Sequence, residues 1–231
     1  MTAMQVQQAL KKRGSAKKAK ASAWFFKTGK GQYGYGDQFR GVTVPEQHQV
    51  AKQYKDLPVF EIDKLLKSPW HEDRLTGVFI LVQRFQKSTS AEQKKLTSFY
   101  LQRTSAINNW DIVDSSAAQI VGNQPLAILK KLAKSKLIWD RRIAMIATYT
   151  GIKQGNPKPA LTIATLLLKD KEDLMHKAVG WMLREVGERC SKADLIAFLR
   201  SHAATMPRTA LRYAIEHLSP NERRYWLTFG R

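Results

Sequence analysis

A single cysteine, Cys190, rules out an internal disulfide framework and suits a reducing compartment. The five histidines are scattered without cysteine partners, so no metal-ligand spacing is present and no metal site is expected. Apolar runs are short, and none nears the roughly 18 to 20 residues that span a bilayer. The opening MTAMQVQQALKKRG carries glutamines where a secretory signal would have its apolar stretch, so no membrane association and a cytoplasmic (cytosol or nucleoid) location are expected. Alternating apolar and polar runs between turn dipeptides are scarce, which argues against a sheet protein. Acid is also scarce: 19 Asp and Glu face 39 Lys and Arg, leaving +20 at pH 7. That imbalance exceeds what solubility needs and points to a polyanionic partner, with nucleic acid expected.

What is present is helical periodicity. With 231 residues and 43% apolar content, the chain can bury one sizeable core, and a single domain over 1–231 is expected. Its first 20 residues read as a basic helical segment, with a helix expected near 4–13. Further helices are expected near 16–28, 44–55, 60–67, 70–87, 91–104, 109–122, 124–134, 139–153, 158–168, 172–188, 192–202 and 206–218. Thr43-Val44-Pro45-Glu46 shows how a start is written, with a capping threonine, an early proline and a glutamate closing a capping box.

The helices read as successive pairs. Set in register, His71-Glu-Asp-Arg74, Trp139-Asp-Arg-Arg142, Leu174-Met-His-Lys177 and Thr205-Met-Pro-Arg208 place a basic residue early in a helix at intervals of 68, 35 and 31 positions. These intervals are near one or two units of the ~34 to 47 residues of stacked two-helix repeats. The expected fold is therefore all-α, a curved solenoid of HEAT-like antiparallel helix pairs. In it Arg74, Arg142, Lys177 and Arg208 form either a ladder for successive phosphates or merely solvated faces.

Gly29-Lys30-Gly31-Gln32-Tyr33-Gly34 has the letters of a dinucleotide fingerprint, but Tyr35-Gly36-Asp37 follows it where a helix should begin. No phosphate-loop motif occurs elsewhere, and no nucleotide or other cofactor is expected. The stretch 29–42 reads as a loop between helices, basic and aromatic enough to touch a DNA backbone.

Three segments could carry chemistry. Along 175–186, Met175, Val179, Met182 and Val186 form a core stripe, while Lys177, Trp181 and Arg184 recur on the opposite side. An indole between two cations can stack on a base or sugar while its neighbours hold phosphates; the alternative is a tryptophan covered by the adjacent helix. Trp110 and Asp114 share a helix face at i, i+4, and Ala117 leaves space one turn further on. Asp111 suits the helix start, whereas Asp114 lies too far along to cap. The choice for Asp114 is between a reactive carboxylate and an ion pair, with Arg142 a candidate partner. Arg142 itself could hold a phosphate or form a salt bridge between repeats.

Together these segments resemble the DNA alkylation repair glycosylases of the AlkD type, over nearly the whole chain. The resemblance is carried by Trp110-Asp111-Ile112-Val113-Asp114, Trp139-Asp140-Arg141-Arg142 and Lys177-Ala178-Val179-Gly180-Trp181-Met182-Leu183-Arg184-Glu185, with Phe25-Phe26-Lys27-Thr28-Gly29 and Gly41-Val42-Thr43-Val44-Pro45 also familiar. It implies an enzyme that removes N3- and N7-alkylated purines from duplex DNA without metal or nucleotide cofactor and without base flipping; a monomer is expected, and, because the cationic base needs no lysine nucleophile, so is base hydrolysis without strand cleavage. Asp114 would be catalytic, Trp110 and Trp181 would cradle the lesion nucleotide, and Arg142 would hold its backbone. Where the family's contact aromatic can be tyrosine, the match is Phe25, without a hydroxyl. From their charge and placement in the chain, Lys27, Arg74, Lys177, Arg184 and Arg208 are expected to meet the DNA backbone. The rival reading is a non-catalytic repeat protein that recognises DNA shape.

Overall fold

The computed structural model describes residues 1–230, and every regular element among them is helical. The one extended pairing among the described residues is an isolated parallel bridge between Gln38 and Trp70. The chain forms two compact units, Met1–Ser116 and a second that begins at Ala117.

The first unit comprises α1 (Ala3–Lys11), α2 (Ala16–Phe25), α3 (Val44–Gln53), α4 (Val59–Leu66), α5 (His71–Lys87), α6 (Ser90–Leu101) and α7 (Trp110–Asp114). α5 is its centre, in contact with α1, α3, α4, α6 and α7. Residues 71–82 are buried without interruption, too broadly for an amphipathic stripe, as befits a helix enclosed by neighbours. Gly77 lets α4 approach, since a Cβ there would lie 3.1 Å from the Leu65 Cβ. The Thr43 start forms as expected: the Glu46 carboxylate accepts the Thr43 amide at 2.8 Å, and α3 begins at Val44.

The second unit comprises α8 (Ala117–Val121), α9 (Leu126–Ala133), α10 (Ile138–Ala147), α11 (Tyr149–Lys153), α12 (Lys158–Leu167), α13 (Asp173–Arg189), α14 (Lys192–His202), α15 (Arg208–Ala214) and α16 (Pro220–Thr228). α13 packs on α10, α12, α14 and α15. Its expected stripe, Met175, Val179, Met182 and Val186, is fully buried, and each such side chain contributes about 1.5–3 kcal/mol through the area it removes from water. Gly180 sets the approach to α15: a Cβ would stand 2.4 Å from the Ala210 carbonyl oxygen.

Among the differences from the sequence expectation, three have a local reason. The helix expected over 109–122 breaks at Ser115 and Ser116, whose hydroxyls donate to the carbonyls of Asp111 and Ile112 at 2.6 and 2.7 Å. The one expected over 139–153 divides at Thr148, whose hydroxyl donates to the Met145 carbonyl at 2.6 Å. α16 was not expected, although Ser219-Pro220-Asn221-Glu222 starts it with the same capping grammar as Thr43.

A candidate nucleic-acid interface with one carboxylate

Asn109 starts α7 by accepting the Trp110 amide on its side chain at 2.8 Å, and buried Ile112 and Val113 fasten the short helix to the core. Trp110 is left half-buried against the end of α2. Its ring stacks on Phe26 (centroids 5.5 Å apart) and meets the edge of Phe25 at 6.0 Å, while its indole N–H donates to the Tyr33 hydroxyl at 3.3 Å. Phe25 and Trp110, each named as a substrate contact by the resemblance, lie against one another. Phe26 and Tyr33 complete the cluster and were not singled out from the sequence. Asp114 ends α7 one turn beyond Trp110 and is also half-buried. Close by, burial raises the Tyr100 phenol, the hydrogen bond with Ser116 lowers it, and the charge of Asp114 raises it again, so the phenol stays protonated.

Four polar or charged residues open α5, and the first of them, His71, packs against the aromatic cluster. His71 lies between two acids, with Nδ1 2.9 Å from Asp37 and Nε2 2.8 Å from Asp111. Burial opposes its charge, but hydrogen bonds to Asp111 and Asp37 and their charges prevail and lift its pKa to about 9. The Phe26 and Phe39 rings each lie 4.8 Å from this imidazolium. Burial would raise Asp37, yet the hydrogen bond from His71 and the charge of Arg74 keep it below the usual carboxylate range. Glu72 accepts the backbone amides of Arg40, Gly41 and Val42 at 2.9, 2.7 and 3.2 Å. Asp73 takes the Arg40 guanidinium in a two-pronged pair at 2.8 and 2.9 Å. Gly41 is obligatory in this turn, with φ +74° and only 2.2 Å from a would-be Cβ to the Ser15 carbonyl oxygen.

Arg74, expected in the phosphate ladder, is engaged by protein groups. It is 4% exposed, and its guanidinium donates to Asp37 at 2.6 Å, Asn108 at 3.1 Å and the Ser68 carbonyl at 3.0 Å. All three nitrogens face protein groups, so Arg74 braces the glycine-rich loop. Lys27 is different: it is exposed at the turn that ends α2.

The second unit holds the remaining residues. Trp181 is half-buried on α13 and donates its indole N–H to Glu185 at 3.0 Å. Burial would raise Glu185, but hydrogen bonds from Arg189 and Trp181 hold it below the usual range. Arg184 pairs with Glu216 and Glu185. Lys177 forms an ion pair with Asp173 at 2.8 Å, and Arg208 donates to the Leu227 carbonyl at 3.0 Å. Arg142 is buried and donates to the Leu174 carbonyl at 2.7 Å, linking α10 to the start of α13. Its neighbour Arg141 pairs with Asp170 at 2.6 Å.

A family model described as DNA alkylation repair enzyme matches residues 6–218. A solved structure, a predicted DNA alkylation repair enzyme from Enterococcus faecalis, shares the fold, with a TM-score of 0.68 over 90% of this chain and 98% of that one, at 16% identity. No curated protein matches the sequence.

Proposed function

The chain belongs to the DNA alkylation repair enzyme family, and from that premise we propose that it is a DNA glycosylase that hydrolyses the N-glycosidic bond of N3- and N7-alkylated purines in duplex DNA, without base flipping. The observation that carries the reading is Asp114 one helical turn after Trp110 on α7, a half-buried carboxylate on the helix that carries the aromatic cluster, in a chain of net charge +20. An alkylated purine of this class is a cation. As the bond from its nitrogen to C1′ breaks, the electron pair neutralises the base, which leaves without needing a general acid. The deoxyribose becomes oxocarbenium-like, and the Asp114 carboxylate stabilises that charge and orients the water whose oxygen bonds to C1′. The water's proton passes to the carboxylate or to solvent. The electron-rich faces of Trp110 and Phe25 favour the same cationic nucleotide. No lysine nucleophile takes part, so the strand stays intact. Trp181, Arg142, Lys177, Arg184 and Arg208 enter the reading as DNA contacts of the second unit, and Lys27 as one of the first.

The test is single-turnover incubation with methylated duplex DNA, with released 7-methylguanine and 3-methyladenine quantified by chromatography. Wild type releases the bases. Asp114→Asn, which keeps the shape and removes the charge, slows release on the order of a hundred-fold with DNA affinity retained. Equal release by both proteins removes Asp114 from the chemistry, and binding without release by wild type supports a shape-recognition protein instead.

A further inference from the structure

The outer face of α2 has no partner in the first unit. None of its residues is buried, and Trp24 is 83% exposed, more than any other large apolar side chain among the described residues. Lys17, Lys20 and Trp24 follow one another at i, i+3 and i+7, so they share a face, and all three are exposed. Trp24 lines a cleft of about 620 Å³ together with Ala23, Phe25, Lys27, Thr28 and Gly29. Phe25 is 55% exposed and forms part of the cleft, while its ring also meets Trp110. The chain has no acidic residue before Asp37, whereas eight Lys and Arg precede it.

The geometry points to a single-strand DNA contact on this face, in which the Trp24 indole stacks on an unpaired base and Lys17, Lys20 and Lys27 hold the adjoining phosphates. An indole presents a flat face, and the unpaired bases of a single strand can present faces in return along its length, whereas the bases inside an intact duplex are already stacked on one another. Interleaved cations and aromatic rings suit a ligand that alternates phosphate and base. They suit a lipid surface less well, because Trp24 could not enter the acyl layer without drawing the ammonium groups of the same helical face towards it. The inference deepens the proposed function and rests on it only for the choice of polymer.

The experiment titrates wild type, Trp24→Leu and Trp24→Phe with a short oligothymidylate and with a blunt, unmodified duplex of equal length at one salt concentration. Trp24→Leu keeps an apolar side chain and removes the stacking face; it weakens single-strand affinity about five-fold or more, Trp24→Phe weakens it less, and duplex affinity is unchanged in both. Equal single-strand affinity of wild type and Trp24→Leu overturns the inference, as does a parallel loss on duplex and single strand. Wild-type binding to phosphatidylserine vesicles without binding to oligothymidylate overturns it in favour of a membrane surface. Base release from methylated duplex is followed in the same three proteins, so loss of the glycosylase reading, which appears in wild type, is separate from loss of the stacking contact, which appears only in the comparison with Trp24→Leu.

Discussion

Lys27 holds a backbone conformation that its own side chain disfavours. Its φ of +53° lies in the left-handed region, and the amide of Thr28 closes the turn onto the Ala23 carbonyl at 3.2 Å, an arrangement in which glycine is the usual residue. A lysine kept in a glycine position suggests that the ammonium group is wanted there more than the strain is avoided. Lys27→Gly is therefore expected to raise stability, by up to about 1 kcal/mol in denaturant unfolding, while weakening duplex affinity in a fluorescence titration. A fall in stability would instead mean that the lysine stem packs against the turn. This residue also lies where the structure departs from the sequence expectation: a helix was expected over 16–28, whereas α2 stops at Phe25.

At the level of elements, the parts legible in the sequence are those governed by neighbours a few residues away. The stripe of α13, the start of α3 and the i, i+4 relation of Trp110 to Asp114 all follow from local spacing. Arg74 and His71 were illegible because their partners lie far along the chain. Nothing local says that Arg74 meets Asp37 and Asn108, or that His71 joins Asp37 to Asp111. The Ser115–Ser116 and Thr148 breaks depend on hydroxyls turning back onto the helix, a choice that periodicity does not encode.

The His71 junction has a definite pH signature. Its folded pKa, about 9, lies above the ordinary 6.5, so its contribution to stability is complete below about pH 6.5 and is lost as pH rises through 9. Asp37, held below the ordinary 3.8, contributes above that value and loses its contribution as pH falls through its folded pKa. Denaturation of wild type followed across this range should show stability declining from pH 6.5 to 9, whereas His71→Gln, less stable throughout, shows a flatter profile in that window. Parallel profiles for the two proteins would mean that the imidazole is neutral in the folded chain.

For the molecule as a whole, the charge of +20 is the dominant long-range fact. Each phosphate contact releases condensed counterions, so affinity for undamaged duplex is expected to fall at least about a hundred-fold between 50 and 200 mM salt, the change for about four contacts. A fall of less than about ten-fold would confine DNA binding to one or two charges and leave most of the basic surface without a role. No described helix is long and apolar enough to cross a membrane.

The junction at His71 also bears on the order in which the chain is made. Asp37 precedes the histidine by 34 positions and Asp111 follows it by 40. During synthesis the glycine-rich loop can gain its first anchors when α5 emerges, but the histidine cannot gain its second acid until residue 111 has left the ribosome. Through that interval the acid-free stretch before Asp37 is a growing cationic chain with its aromatic cluster still incomplete, since Trp110 arrives one residue before the last anchor. Closure of the cluster and completion of the charge junction thus fall at the same moment of translation, near the end of the first unit.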